Sequence, residues 1–175
     1  MKLIKFIFIS FCILANSISM ADESGERIFY GGVGSAKTGS STQNGSAPFS
    51  LGFLSVPKSN DSVWGLDFAG EGTMLDSTYG QNKVPAQAIS FNFLLGKNFT
   101  KSESSRFDGA VILGGRQTVQ ECPASYNGWQ CYADRAPNTS YGFNFGVLIA
   151  FTYNGITLGA RATGQSSQAI IGWRF

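Results

Sequence analysis

The sequence contains no histidine, and only 14% of its 175 residues are charged. Without an imidazole the chain lacks the side chain that most often acts as a general base near neutral pH and as a zinc ligand. The three cysteines do not replace the missing zinc ligands. Cys12 lies in an N-terminal segment that export would remove, and the two remaining thiolates are fewer than the ligands of a tetrahedral zinc site. The sequence therefore predicts no metal and no other cofactor, and it does not favour a catalytic function.

Long apolar runs are also scarce. Outside the first 21 residues none approaches the roughly 20 residues of a transmembrane helix, and no stretch combines helical periodicity with caps. The N-terminal segment has Lys2 and Lys5, then an apolar run over 3–14, then small residues up to Ala21. This layout is typical of a secretory signal peptide cleaved after Ala21, and the apolar run is short for the alternative, an uncleaved anchor.

Removal of residues 1–21 leaves 175 − 21 = 154 residues, so 22–175 is predicted to be a single domain. The signal peptide takes two of the 13 basic residues and none of the 11 acidic ones, which leaves 11 of each sign. Such a balance provides no basic surface for nucleic acid, and no nucleic-acid partner is expected.

Apolar residues alternate with small or polar ones along the mature chain. The clearest run is 141–153, where Tyr, Phe, Phe, Val, Ile, Phe and Tyr occupy every second position. Tyrosine at both ends suits a strand that faces lipid, because the ring is buried while its hydroxyl stays wet. Seven strands are expected near 27–37, 46–56, 62–72, 87–99, 106–117, 141–153 and 156–163, and an eighth is expected before Phe175. The glycines of the first strand leave its register open.

The last strand has a terminal aromatic pattern, with Ala169, Ile171, Trp173 and Phe175 on one face. With this pattern and its eight alternating segments, the mature chain resembles the small outer-membrane β-barrel proteins. This class includes the OmpA transmembrane domain, OmpX-like and opacity-like proteins. The resemblance implies an all-β fold, an eight-stranded antiparallel up-and-down transmembrane β-barrel in a bacterial outer membrane. Its implied partners are outer-membrane lipid and the barrel-assembly machinery, which reads the terminal pattern.

Charged residues fall on the inner parity of several strands. Three acids and three bases are predicted to form a balanced polar network that fills the lumen, with Arg106 and Asn144 on the same parity. The alternative is a gated ion path. The predicted network consists of Asp67, Glu71, Asp108, Arg116, Arg161 and Arg174.

The connection between the fifth and sixth strands has about 22 residues, long for a structureless loop. Cys122 and Cys131 are predicted to form a disulfide within it. Tyr126, Trp129 and Tyr132 lie in or beside this clip and are candidates for recognising an extracellular ligand or host surface. The alternative is a disulfide that only protects the loop.

Members of the resembled class are structural components, adhesins or mediators of host interaction. The expected function is therefore non-enzymatic, contributing to envelope integrity or to surface interaction through the outer loops. Two alternatives stay open. One is an outer-membrane lipid-modifying enzyme, which the lack of histidine disfavours, and the other is a soluble periplasmic lipocalin-like barrel, which would need apolar residues inside and polar ones outside.

Overall fold

A computed structural model of the chain describes residues 25–36, 47–57, 61–76, 84–102, 104–121 and 138–175. They form eight strands, each hydrogen-bonded antiparallel to the next, and the eighth closes onto the first. The predicted eight-stranded antiparallel barrel is thus confirmed. Among the described residues no helix is long and apolar enough to cross a membrane. The strands are β1 Glu26–Ala36, β2 Phe49–Val56, β3 Ser62–Asp76, β4 Val84–Lys101, β5 Ser105–Glu121, β6 Asn138–Tyr153, β7 Ile156–Thr163 and β8 Ser166–Arg174.

Closure between β1 and β8 fixes the register that the sequence left open. Phe29 pairs with Trp173, and Val33 pairs with Ala169. Ile28 and Tyr30 are fully buried, whereas Phe29 and Val33 are exposed by 48% and 67%. The outward face of β1 therefore carries Phe29 and Val33, and the closed wall leaves no free sheet edge where β1 meets β8.

The middle strands are longer than the apolar alternation indicates. β3, β4 and β5 are expected near 62–72, 87–99 and 106–117, but they span 15, 18 and 17 residues. Register shifts between Glu71 and Met74, and between Gln117 and Val119, interrupt the two-residue period near those expected ends. Because a bulge shifts the following side chains to the opposite face, the apolar alternation in the sequence stops there. The backbone pairing of the strands nevertheless continues past that point.

The two ends of the barrel differ in their connections. The backbones of Arg27 and Phe175 exchange hydrogen bonds of 3.0 and 2.9 Å at one end, named the terminal end below. The short connections after β2, β4 and β6 lie at this end, and the last of them is Asn154–Gly155 with φ angles of 46° and 87°. The connections after β1, β3, β5 and β7 lie at the opposite end, the loop end, and the first three include residues outside the described ranges.

Candidate functional site in the barrel interior and on its outer surface

Inward side chains form three layers along the barrel axis. A polar network lies toward the loop end, and a second charged cluster lies at the terminal end. Between them is an apolar layer that includes the fully buried Leu54, Leu94, Ile112 and Leu148. Because an eight-stranded barrel is only wide enough inside for side chains, these layers fill the described part of the lumen as a core.

The loop-side network is centred on Arg161 of β7. Its Nη2 lies 2.7 Å from Oδ1 of Asp67 and 2.6 Å from Oε1 of Glu71. Its Nε lies 3.1 Å from Oδ2 of Asp67. Both acids belong to β3, which is four strands from β7 in the ring of eight and so forms the opposite wall. All three side chains are fully buried, and the ion pairs therefore link opposite walls across the lumen.

Neutral side chains satisfy the remaining lone pairs of the two carboxylates. Asp67 accepts hydrogen bonds of 2.8 Å from the hydroxyl of Tyr30 and 2.7 Å from the amide of Asn92. Glu71 accepts bonds of 2.9, 2.8 and 2.7 Å from side chains on β6, β7 and β8. Buried charges are tolerated when their other hydrogen-bonding positions are filled in this way. The donors to Glu71 are Asn144, Thr163 and Ser166.

A second cross-lumen link lies at the terminal end. Arg106 of β5 donates from Nε to Oδ2 of Asp108 at 2.7 Å, and its Nη1 pairs with Glu26 of β1 on the opposite wall. Asn98 donates to Oδ1 of Asp108 at 2.8 Å. Arg174 lies 3.7 Å from Glu26. The two cross-lumen links join different pairs of opposite strands, β3 with β7 and β1 with β5.

The six residues proposed for the lumen do not form one network. Asp67, Glu71 and Arg161 are together near the loop end, and Asp108 belongs to the terminal-end cluster. Arg116 is half-buried and donates to the carbonyl of Gln117 at 3.3 Å. Arg174 lies at the edge of the terminal-end cluster, its side chain 16% exposed.

Two important residues of the terminal-end cluster were absent from the proposed set. Arg106 shares the inward parity of Asp108, and its side chain is fully buried between Asp108 and Glu26. Glu26 could not be assigned because the register of β1 was open. Once Ile28 and Tyr30 are known to point inward, the same two-residue period places Glu26 inward as well.

The outer surface is apolar on all eight strands. β6 is the extreme case, since its outward residues from Tyr141 to Tyr153 are 49–72% exposed. The expected assembly pattern is exposed: Ala169, Ile171 and Trp173 lie on the outer side of β8, and Phe175 directly follows that strand. The other strands contribute Phe29, Val33, Leu51, Phe68, Ile89, Phe91, Phe93, Leu95, Phe99, Phe107, Val111, Ile156 and Leu158.

The residues of the long connection lie outside the described ranges. This applies to the predicted disulfide between Cys122 and Cys131 and to the candidate recognition residues Tyr126, Trp129 and Tyr132. Within the described ranges, no three cysteine or acidic side chains gather as a metal site.

The chain matches no family model. It also matches no curated protein. Among solved structures, it is similar to one described as the backbone structure of the Yersinia pestis outer membrane protein Ail in a phospholipid bilayer nanodisc. The two share 14% sequence identity, the match covers 87% of this chain and 100% of that one, and the TM-score is 0.43.

Proposed function

We propose that the chain is a non-enzymatic β-barrel of a bacterial outer membrane that acts through its outer loops, in surface interaction or envelope integrity. The observation that carries this proposal is the apolar outer surface on a closed barrel whose loop-side interior is charged. In water such a surface would be costly, since contiguous exposed apolar area on soluble proteins is limited to a few hundred Å². In a bilayer it is the required arrangement.

The height of the apolar surface supports the same proposal. Twelve residues separate Tyr141 from Tyr153, which is about 40 Å along a strand at roughly 3.3 Å per residue. With a strand tilt of about 40°, the rise along the barrel axis is about 30 Å. This rise fits an apolar band bounded at both interfaces by aromatic residues, and Tyr141 and Tyr153 are at its two limits.

The interior argues against a soluble binding barrel. A lipocalin-like protein needs an apolar cavity inside and a polar surface outside, whereas here the bulk of the large apolar side chains faces outward. The lumen holds two cross-wall ion-pair clusters and an apolar layer between them. These side chains favour a filled interior over a ligand cavity or an ion path.

The orientation follows from the chain's expected export. The barrel is inserted from the periplasm, so its terminal end faces the periplasm and its loop end faces outward. In this arrangement the long connection over 122–137 lies outside the cell. A disulfide between Cys122 and Cys131 would hold Tyr126, Trp129 and Tyr132 ready for an extracellular ligand or host surface, because a tied loop loses less entropy on binding.

Two measurements test this function. Membranes from expressing cells are run on a gel with and without boiling, and we expect the unheated protein to migrate differently and to be absent from the soluble periplasm. Recovery in the soluble fraction with no heat-dependent shift would overturn the membrane assignment. Binding to host cells is then compared between the parent protein and a Tyr126→Ala/Trp129→Ala/Tyr132→Ala variant, and equal binding by a folded variant would remove the recognition role.

A further inference from the structure

The outward face of the strands is nearly free of charge, and the exceptions are confined to one region. Among the strand side chains that the structure describes, only Arg27 of β1 and Lys97 of β4 are charged and point outward. Both are cations, and both lie at the terminal end. Neither forms an ion pair with another described residue, and the nearby Asp61 lies in the connection that precedes β3.

Strand register places the two cations on either side of an indole. Arg27 pairs with Ser55 of β2, and Ser55 pairs with Trp64 of β3. Lys97 of β4 is opposite Ser62, two residues nearer the end than Trp64. Trp64 packs edge-on against Phe53, with ring centroids 6.3 Å apart. The surface formed by Arg27, Ser55, Trp64 and Lys97, here called the β1–β4 rim, therefore combines two cations with one hydroxyl group and one aromatic side chain.

The other half of the same end is different. At this level β5 to β8 present Phe107, Tyr153, Ile156 and Trp173, and none of them is charged. A belt of aromatic residues anchors a barrel at the interface whatever the headgroup charge, because an indole or phenol needs only a boundary between hydrocarbon and water. The two cations of the β1–β4 rim add a preference for negative charge that the other half lacks.

We propose that the β1–β4 rim binds the headgroups of anionic phospholipids, such as phosphatidylglycerol, in the periplasmic leaflet. This inference rests on the proposed membrane location. A zwitterionic headgroup brings its own ammonium group toward the cations, whereas an anionic headgroup brings a phosphate without one. Arg27 and Lys97 are three strand spacings apart, about 14 Å, so each cation contacts a separate lipid.

The test uses the tryptophan of the rim as a reporter. In a Trp129→Phe/Trp173→Phe background Trp64 is the only tryptophan, and the full chain is reconstituted in phosphatidylcholine bilayers. Brominated phosphatidylglycerol or brominated phosphatidylcholine is then added at equal mole fraction, and the quenching of Trp64 gives their relative binding. The charge variants are Arg27→Gln and Lys97→Gln, and Arg174→Gln is the matched control because its cation lies at the same end but points inward.

We expect phosphatidylglycerol to quench Trp64 more strongly, with up to about fivefold tighter binding contributed by each cation at low salt. Each single variant should lower this preference, the double variant should abolish it, and Arg174→Gln should keep it. Equal quenching by the two lipids, or a preference that survives the double variant, would overturn the inference. Should the reporter background not fold, counting of lipids retained by the parent chain and the double variant in native mass spectrometry gives the same comparison.

Failure of the inference is distinguishable from failure of the proposed function. A chain that inserts into phosphatidylcholine bilayers without headgroup preference keeps its membrane location and loses only the lipid selectivity. A chain that does not insert into phosphatidylcholine bilayers, with or without added phosphatidylglycerol, contradicts both the inference and the proposed function.

Discussion

Arg161 and Glu71 lie on opposite walls of the barrel, and their side chains meet in the lumen with Nη2 2.6 Å from Oε1. Asp67, four residues before Glu71 on the same strand, accepts from the same guanidinium at 2.7 Å. One cation thus balances part of the charge of two buried carboxylates. Asn144, Thr163 and Ser166 also donate to Glu71, and Tyr30 and Asn92 donate to Asp67. Donors from five strands, β1, β4, β6, β7 and β8, therefore surround these two acids of β3.

Replacing Arg161 with methionine should destabilise the barrel strongly. The substitution keeps an unbranched apolar stem in place of the methylene groups but leaves Asp67 and Glu71 buried without their cation. Removal of one partner of a buried ion pair costs about 3–5 kcal/mol. The free energy of unfolding in lipid vesicles, measured by urea titration with tryptophan fluorescence, should fall by this order.

The control for this prediction removes the charge on both sides. An Arg161→Met/Asp67→Asn/Glu71→Gln variant has no uncompensated carboxylate, so it should recover part of the loss. A triple variant that is less stable than Arg161→Met would contradict the role assigned to the carboxylates.

The terminal-end cluster should show a graded response. Arg106 is fully buried and contacts both Asp108 and Glu26, whereas the side chain of Glu26 is 27% exposed. Arg106→Met leaves Asp108 buried without its cation and should lower the unfolding free energy much more than Glu26→Gln, whose partner keeps Asp108. The same urea titration measures both variants. Equal losses would mean that leaving Asp108 without its cation adds no cost beyond the loss of the Arg106–Glu26 pair.

Much of the wall could be predicted from the sequence, because successive residues of a barrel strand point alternately outward and inward and this alternation is visible in the residue types. β6 and β7 agree with the expected ranges at their turn, since Asn154–Gly155 supplies the positive φ angles that a two-residue hairpin needs. The longer loop-side ends of β3 and β5 could not be predicted, because the bulges near Met74 and Val119 break the alternation there.

The interior was only partly predictable for a related reason. Parity tells which residues point inward, and Asp67, Glu71, Asp108 and Arg161 were assigned in this way. It does not tell how far along the axis each one lies, which depends on the stagger between neighbouring strands. Arg116 and Asp108 share a face of β5, yet eight residues separate them, and only Asp108 reaches the terminal-end cluster.

A charge placed on the outer face should reveal the depth of each position in the bilayer. Val147 is midway between Tyr141 and Tyr153 on the outer face of β6. Arginine at the midplane of a membrane barrel costs about 2–4 kcal/mol, and near an interface about 0–1 kcal/mol. We therefore expect Val147→Arg to lower the unfolding free energy in vesicles well below that of Tyr153→Arg.

The matched control for the depth series is Gly164→Arg, in the exposed connection between β7 and β8, where an added β-carbon meets no atom within 4 Å and which should have little effect. Similar losses for Val147→Arg and Gly164→Arg would show that depth does not determine the cost, and the assignment of β6 as a membrane-spanning strand would be wrong.

Gly52 should not tolerate a side chain, because the ring of Tyr30 lies over it. A β-carbon at Gly52 would lie 2.1 Å from Cζ of Tyr30, and the hydroxyl of Tyr30 donates to Asp67 at 2.8 Å. Gly52→Ala should therefore displace the ring, disturb the loop-side network and cost about 1–3 kcal/mol. In a Tyr30→Ala background the ring is absent, so the added Gly52→Ala change should cost much less. Additive losses in this double-mutant cycle, measured by urea titration, would show that the glycine and the ring act independently.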